Sequence, residues 1–179
     1  MDKRNHCLMV INIILTVVLI ITISAVYNRT EDIEQREEDV MLMYENVDKL
    51  LYEVDEKIEE LNTIEQLSEQ YNIAPELILA MIKVESNFNQ YAVSSEGCSG
   101  YLQISPIHNV ANVFDLNTNL EWGLGYFSTL LNESQDLHIA LGEYNRGRTG
   151  YAKYVENTGN KLTAYSEKVV KYLNELQPW

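Results

Sequence analysis

The sequence has few of the residues that cross-link chains, coordinate metals or bind nucleic acid. Its two cysteines, Cys7 and Cys98, are too few for a disulfide framework or a cysteine-rich metal site. The three histidines lie far apart without an HExxH pair, and no phosphate-binding glycine loop is present. We therefore expect neither metal nor cofactor. Because 13 basic residues face 27 acidic ones, nucleic acid is also excluded as a partner.

An apolar run begins at Cys7 and is long enough to span a bilayer as a helix, which takes about 20 residues. Lys3 and Arg4 precede it, so residues 1–6 are expected in the cytoplasm and the rest of the chain outside. We predict a single-pass anchor in the cell membrane at residues 7–27. A cleaved signal peptide is the alternative, although its apolar region is usually only about 7–15 residues long.

Residues 28–66 are strongly acidic and carry two interleaved seven-residue repeats offset by four positions. The combined period of about 3.5 residues is typical of a coiled-coil seam. One repeat comprises Ile33, Val40, Val47, Val54 and Leu61, and the other comprises Tyr44, Leu51 and Ile58. We predict a helical stalk over residues 28–66 that either pairs as a homodimer or stays a single helix. At ~1.5 Å per residue it would reach roughly 60 Å.

From about Asn72 the density of charged residues falls, and glycine, asparagine, serine and aromatic residues become more frequent. Residues 67–179 are predicted to form a mainly α domain. Apolar residues at three- and four-residue steps predict four helices there, with a short helix and an extended piece between them. The helices are expected from Pro75 to near Asn89 and over residues 120–132, 138–145 and 162–176. The short helix is expected within residues 107–114 and the extended piece at residues 101–104.

Glu85 lies on the apolar face of the helix predicted from Pro75. The apolar residues of that face are Leu77, Ile78, Met81, Ile82 and Phe88. A carboxylate is costly to bury in its charged form, so we expect a raised pKa for Glu85, as a general acid requires. The alternative is a glutamate at the rim of the domain whose carboxylate reaches water or pairs with a lysine.

Several ordered motifs resemble the soluble-lytic-transglycosylase-type (SLT) family, whose catalytic domain has a lysozyme-like fold. The resemblance covers roughly residues 65–160. The motifs are Glu85-Ser86-x-Phe88, Ala92-Val93-Ser94 with Gly97 and Gly100-Tyr101-Leu102-Gln103-Ile104, then Asp115, Asn117, Leu120 and Gly123, and finally Ala140-Leu141-x-x-Tyr144-Asn145-x-Gly147. The overall expectation is a lysozyme-like catalytic domain preceded by a transmembrane helix and a helical stalk.

The resemblance implies an enzyme that cleaves the β-1,4 bond between N-acetylmuramic acid and N-acetylglucosamine in peptidoglycan and leaves a 1,6-anhydro end. Glu85 matches the family's single catalytic acid/base. Tyr144 matches the tyrosine that contacts the catalytic carboxylate, and Ser86, Gln103 and Asn145 match residues that line the sugar groove. The implied partners are the glycan strands and the cytoplasmic membrane, with the catalytic domain outside the cytoplasm.

Two alternatives to the transglycosylase stay open at this point. A goose-type lysozyme-like enzyme would hydrolyse the same bond, and a second carboxylate in the groove would support that reaction. Glu143, where the family usually has alanine, is a candidate if it faces the groove rather than solvent. A non-catalytic, glycan-binding scaffold is the other alternative. A tethered enzyme would suit local wall opening for a secretion, conjugation or phage-related apparatus.

Overall fold

The computed structural model describes residues 3–27 and 33–176, with side chains for residues 11–23 and 39–176. The described residues form six α-helices and one short 3₁₀-helix, which confirms a mainly helical fold. The α-helices are α1 (Lys3–Tyr27), α2 (Ile33–Tyr71), α3 (Pro75–Glu85), α4 (Leu116–Ser134), α5 (Leu137–Thr158) and α6 (Ala164–Leu176), and the 3₁₀-helix is Pro106–His108.

The chain divides into two compact units, Met1–Lys57 and Ile58–Trp179. The first unit contains α1, where the predicted membrane anchor falls, although part of that segment's side chains lie outside the described residues. A search of the described residues for a helix long and apolar enough to cross a membrane found none.

The predicted stalk corresponds to α2, a single helix of 39 residues; the stalk's first residues, 28–32, lie outside the described part of the chain. Two residues of the predicted seam, Tyr44 and Leu51, are exposed to solvent. The last turns of α2 belong to the second unit, where Ile64 and Leu67 enter the apolar core. The compact unit thus begins before residue 67.

The core of the second unit forms around α3. This helix begins with Pro75 in its first turn, where proline's fixed φ suits the helix and its missing N–H would be unpaired anyway. Its buried residues are Leu77, Ile78, Ala80, Met81 and Ile82. The helix packs against α6, while α4 packs against α5, and α5 also contacts α6. Burial of these apolar faces stabilises the unit because it removes apolar surface from water.

Asp115 and Asp136 fix the starts of the next two helices. The Asp115 carboxylate accepts a hydrogen bond from the Thr118 backbone N–H at 2.9 Å at the start of α4. The Asp136 carboxylate accepts from His138 and Ile139 at 2.9 and 3.1 Å at the start of α5. Such side-chain caps pair backbone N–H groups that have no partner inside the helix.

The segment between α3 and α4 differs from the predictions for residues 101–104 and 107–114. Residues 101–104 are a turn bounded by two isolated bridges, Val93–Ser99 and Ser99–Ile104, and the described residues contain no β-strand. The predicted short helix is only the three-residue 3₁₀-helix Pro106–His108. The turn has no strand partner because it is tied to α4 by a buried side chain instead.

That side chain belongs to Asn119, a fully buried residue of α4. Its Oδ1 accepts a hydrogen bond from the Leu102 backbone N–H at 2.8 Å. Its Nδ2 donates to the backbone carbonyls of Ser99 and Val113 at 3.0 and 2.8 Å. One side-chain amide therefore holds three points of an irregular segment. Position 100 requires glycine because its φ is +81° and because a side chain there would collide with the Asn119 amide.

The helix predicted at residues 138–145 is longer than expected. Gly147 has φ 67° and ψ 154°, which is not helical, but the chain resumes a helical path and α5 ends only at Thr158. Gly147 therefore marks a kink, not an end, because the following turn packs Tyr151 into the unit against Gly142.

Candidate active site

A cleft of about 350 Å³ opens beside the C-terminal end of α3. It is bounded by the end of α3, the irregular segment, α4 and α5. Its lining residues are Glu85, Ser94, Ser95, Glu96, Cys98, Gln103, Ile104, Ser105, His108, Trp122, Tyr126, Tyr144 and Asn145. Most of these residues are polar, and the rings of Trp122, Tyr126 and Tyr144 give the cleft its aromatic faces.

Glu85 is the last residue of α3 and its carboxyl group is largely buried at the base of this cleft. Burial raises the pKa of Glu85 from 4.5 to about 7, while the nearby Tyr165 hydroxyl and the charge of Lys168 act in the opposite direction. Desolvation dominates because a carboxylate loses more hydration than these partners replace. Glu85 is therefore poised to give and take a proton near neutral pH.

Two buried tyrosine hydroxyl groups flank Glu85. Tyr144, on α5, donates its hydrogen bond to the backbone carbonyl of Leu102 at 2.8 Å. Tyr165, on α6, has a buried hydroxyl that makes no hydrogen bond of ordinary geometry but lies within reach of the Glu85 carboxyl group. Burial, and then the nearby Glu85 carboxylate, raise the pKa of both tyrosines well above the usual value. Both hydroxyls therefore stay protonated as donors.

The residues matched by the family motifs take different places in the site. Glu85, Gln103, Tyr144 and Asn145 come together in the cleft. Gln103 also supports the loop, since its side-chain amide donates to the carbonyls of Ala92 and Gly100.

Ser86 lies outside the cleft lining. It is buried at the end of α3, where its hydroxyl donates to the Ile82 carbonyl at 3.1 Å. The structure thus places Ser86 where it orders the helix end that carries Glu85. Glu143 likewise does not line the cleft, whereas Glu96, on the irregular segment, does.

Several site residues were not predicted from the sequence. Tyr165 belongs to the apolar stripe of the terminal helix, which indicated only core packing. Trp122 and Tyr126 lie on α4 and also pack in part against the core. The only sequence signal for these two residues is their spacing. Trp122 and Tyr126 lie three and seven residues after Asn119, so all three share one face of α4.

The described residues offer no group of three histidine, cysteine or acidic side chains that could hold a metal ion. The cleft itself presents the Glu85 carboxyl group with a pKa near 7, the protonated Tyr144, and hydroxyl and amide groups. This set suits proton transfer to and from an oxygen atom of a bound ligand.

The fold and this site agree with a known family. The sequence model of the family described as "Transglycosylase SLT domain" matches residues 62–166, more than half of the chain. The chain belongs to the transglycosylase SLT domain family. Every cleft residue lies within the matched range.

Individual relatives and structures agree with this assignment. A transglycosylase of Enterobacteria phage PRD1 is 32% identical over 118 residues, which is 64% of this chain and 43% of the phage protein. Membrane-bound lytic murein transglycosylase C of Pectobacterium atrosepticum is 30% identical over 110 residues, 59% of this chain and 30% of the relative. The chain thus matches less than half the length of these curated relatives.

A solved structure shows the same fold. An inactive mutant of the lytic transglycosylase Slt from Pseudomonas aeruginosa superposes with a TM-score of 0.54 at 16% identity, covering 63% of this chain and 23% of that protein. At this identity the likeness concerns the fold alone.

Proposed function

We propose that this chain is a peptidoglycan lytic transglycosylase that cleaves the β-1,4 bond between N-acetylmuramic acid and N-acetylglucosamine. The observation that carries the proposal is a largely buried glutamic acid, Glu85, with a pKa of about 7 in a cleft of about 350 Å³. The named activities of the relatives point the same way, since they are called transglycosylase and lytic murein transglycosylase.

In the first step, protonated Glu85 donates its proton to the glycosidic oxygen, and the C1–O bond of the muramic acid breaks. Charge develops on C1 as the leaving oxygen departs, and the newly formed Glu85 carboxylate faces it. Because burial holds the pKa near 7, the acid is protonated in a large fraction of molecules at neutral pH. A correctly placed general acid typically contributes ~10²–10⁴-fold to the rate.

In the second step, the Glu85 carboxylate accepts the proton of the sugar's own C6 hydroxyl as that oxygen bonds to C1. The product carries a 1,6-anhydro ring, and no water is consumed. Ordinary glycosidases need two carboxylates. Here the nucleophile is already part of the substrate, so its proximity replaces the second residue.

The tyrosines serve the same proton cycle. Tyr165 faces the Glu85 carboxyl group and stabilises its charged form, which keeps the pKa from rising further. Tyr144 holds the Leu102 carbonyl and thereby joins α5 to the turn that forms the opposite wall. Ser86, Gln103 and Asn145 are proposed to support or line the sugar groove.

The proposal is tested by incubating the full chain with purified sacculi and identifying released muropeptides by mass spectrometry. We expect 1,6-anhydromuramic ends in the wild type and no release by Glu85→Gln, which preserves shape but cannot donate a proton. If Glu85→Gln released muropeptides at the wild-type rate, the role of Glu85 would be refuted. The release would then come from another enzyme in the preparation, and the chain would be a scaffold. Glu156→Gln, which alters an exposed acid on α5, is the matched control.

Hydrolysis of the same bond is a second candidate because Glu96 also lines the cleft. A second carboxylate could activate water and give a reducing muramic end, as in inverting glycosidases. The same mass spectra separate the two reactions. Reducing ends that disappear in Glu96→Gln would establish hydrolysis in place of the anhydro reaction.

We extend the proposal to the location of the enzyme. Residues 7–27 would anchor the chain in the cytoplasmic membrane with residues 1–6 inside and the cleft outside; the apolar run after Lys3 and Arg4 supports this. The enzyme would then open wall only within reach of its stalk, as suits a secretion, conjugation or phage-related apparatus. Recovery of the chain in the soluble fraction after cell lysis would contradict the anchor.

The stalk is proposed to pair as a parallel homodimer through the seam that includes Tyr44, Val47, Leu51 and Val54. The exposed Tyr44 and Leu51, seven residues apart, support this because they would gain burial against a second helix. In a background without Cys7 and Cys98, Leu51→Cys should form intermolecular disulfides under mild oxidation. Asp55→Cys, which lies off the seam, is the control, and equal cross-linking of both variants would contradict the pairing.

A further inference from the structure

Glu85 carries a negative charge for part of the proposed reaction, although most of its surroundings oppose that charge. Its carboxyl group is largely buried at the end of α3, where the backbone carbonyls form the negative end of the helix dipole. A second acid, Glu96, lines the same cleft. The described lining residues include no lysine or arginine, so the cleft itself supplies no such cation to offset the anion.

A positive charge reaches Glu85 from α6, which packs against α3. The first turn of α6 carries Tyr165, whose buried hydroxyl lies within reach of the Glu85 carboxyl group. Lys168 lies three residues after Tyr165, and residues at this spacing are neighbours on one side of a helix. Lys168 also adjoins the fully buried Val169, so its side chain leaves α6 at the edge of the buried face. The Lys168 side chain thus starts one turn from the hydroxyl that flanks Glu85, and its charge acts on that carboxyl group.

Another lysine, Lys83, lies in the last turn of α3 but is engaged elsewhere. Its ammonium donates a hydrogen bond to Asn87 Oδ1 at 2.5 Å and lies 5.7 Å from the centroid of the Phe88 ring. Because Lys83 precedes Glu85 by two residues, the two side chains leave the helix about 200° apart. Proximity in sequence therefore does not bring the Lys83 charge to Glu85, whereas packing brings that of Lys168.

The titratable groups around Glu85 come from each element that encloses it. Lys168 is the one lysine or arginine among them; the others are Tyr165 on α6, Tyr144 on α5, Tyr126 on α4, and Glu96, Cys98 and His108 between α3 and α4. Lys168 is exposed and does not line the cleft, so it has no contact with a ligand bound there. Any effect of Lys168 on the reaction must therefore pass through Glu85.

We propose that Lys168 is a positioning residue whose ammonium stabilises, from outside the cleft, the carboxylate that Glu85 becomes between its two proton transfers. This inference rests on the proposed function, since it concerns the same acid in its charged form. A stabilised anion makes Glu85 a stronger acid in the first step, and it determines how readily the carboxylate takes the C6 hydroxyl proton in the second. Because one group performs both transfers, Lys168 sets the pH range in which the enzyme works.

The first test is the pH dependence of muropeptide release from purified sacculi by the full chain. Lys168→Gln removes the charge, so Glu85 should stay protonated to higher pH, and the alkaline limb of the profile should move up by about half a pH unit at low salt. Lys168→Arg keeps the charge and should restore the wild-type profile. Lys171→Gln is the matched control, since it removes the same charge from α6 at an exposed site beside Glu175.

Salt separates an electrostatic role of Lys168 from a structural one. Because Lys168 is exposed, counter-ions should screen its charge, and the Debye length falls from about 30 Å at 0.01 M to about 3 Å at 1 M ionic strength. The difference between wild type and Lys168→Gln should therefore shrink as salt is added. An unshifted profile in Lys168→Gln at low salt, a shift that is the same at all salt concentrations, or an equal shift in Lys171→Gln would overturn the proposal.

A second arm needs no cleavage and so separates failure of this inference from failure of the proposed function. Urea unfolding of the wild type, Lys168→Gln, Glu85→Gln and the double variant measures the coupling between the two side chains. At pH ~8 folded Glu85, with a pKa of about 7, is mostly charged, so the coupling should be favourable; at pH ~4.5 it is protonated in the fold, so the coupling should vanish. Coupling that is absent at pH ~8, or equal at both pH values, would contradict the pairing. If the coupling appears only at pH ~8 but the wild type releases no muropeptide, the action of Lys168 on Glu85 stands and the proposed function fails.

Discussion

Replacing Glu85 by glutamine should stabilise the fold in a pH-dependent way while abolishing cleavage. In the unfolded chain the carboxyl group ionises near its ordinary pKa of 4.5, but in the fold burial raises the pKa to about 7. Between these values the folded state holds a proton that the unfolded state has lost. Wild-type stability therefore falls as the pH rises from about 4.5 to about 7, and the cost is complete above pH 7.

The size of the effect follows from the pKa difference of 7 − 4.5 units. At about 1.4 kcal/mol per unit, the charged form of Glu85 costs the fold about 3 kcal/mol at alkaline pH. Glutamine has nearly the same shape and no charge, so the variant escapes this cost. We expect Glu85→Gln to be more stable than the wild type by about 3 kcal/mol at pH ~8 and nearly equal to it at pH ~4.5.

The assay is urea denaturation of the purified chain followed by circular dichroism at the two pH values. The midpoint should move and the slope should not, because the exposed surface on unfolding is the same. Glu156→Gln controls for removing one negative charge from a chain of net charge −14. A Glu85→Gln variant that is less stable than the wild type at pH ~8 would refute the reasoning, since the ionised carboxylate would then be stabilised in the fold. A stabilisation of equal size at both pH values would refute it too.

Three further variants test the parts that hold Glu85 in place. Tyr165→Phe removes a nearby hydroxyl that favours the charged form of Glu85, so the pKa of Glu85 should rise further and the pH–rate profile should shift to higher pH; an unshifted profile would show that the hydroxyl does not act on the acid. Asn119→Ala leaves the buried Leu102 N–H and the part-buried Val113 carbonyl without their side-chain partner, whereas the Ser99 carbonyl keeps its bond from the Ile104 N–H. The variant should cost about 2 kcal/mol in urea unfolding; a loss below about 1 kcal/mol would mean that water replaces the amide. Gly100→Ala places a methyl group 2.1 Å from the Asn119 amide, whereas Gly159, also at positive φ, has open space around it. In thermal unfolding, Gly100→Ala should therefore be clearly more destabilising than the control Gly159→Ala.

The helices of the catalytic unit could be predicted because each has a local signal. Leu77, Ile78, Met81 and Ile82 repeat at helical spacing, and Pro75 marks the start of α3. The irregular segment could not be predicted in the same way. Residues 101–104 form a turn and not an extended piece because Asn119, seventeen residues after Leu102, supplies the backbone partners that a strand would otherwise have provided.

The extent of α5 was also misjudged from local sequence. Gly147 usually indicates the end of a helix, since glycine readily adopts positive φ. Here it adopts φ 67° but the chain continues as helix to Thr158. The continuation depends on Tyr151, which packs against Gly142 from the far side of the kink.

The sequence by itself determined the family and the order of the helices and singled out Glu85 as the proposed acid, because motif spacing and apolar periodicity are properties of neighbours along the chain. It also placed Glu85 on an apolar face and so predicted the direction of its pKa. Only the tertiary structure decided that Tyr165 faces Glu85, that Ser86 supports the helix end, and that Trp122 and His108 extend the cleft. The contacts of Tyr165 with Glu85 and of His108 with Trp122 join residues from different elements, and the distance between such residues is set by packing, which no local pattern records.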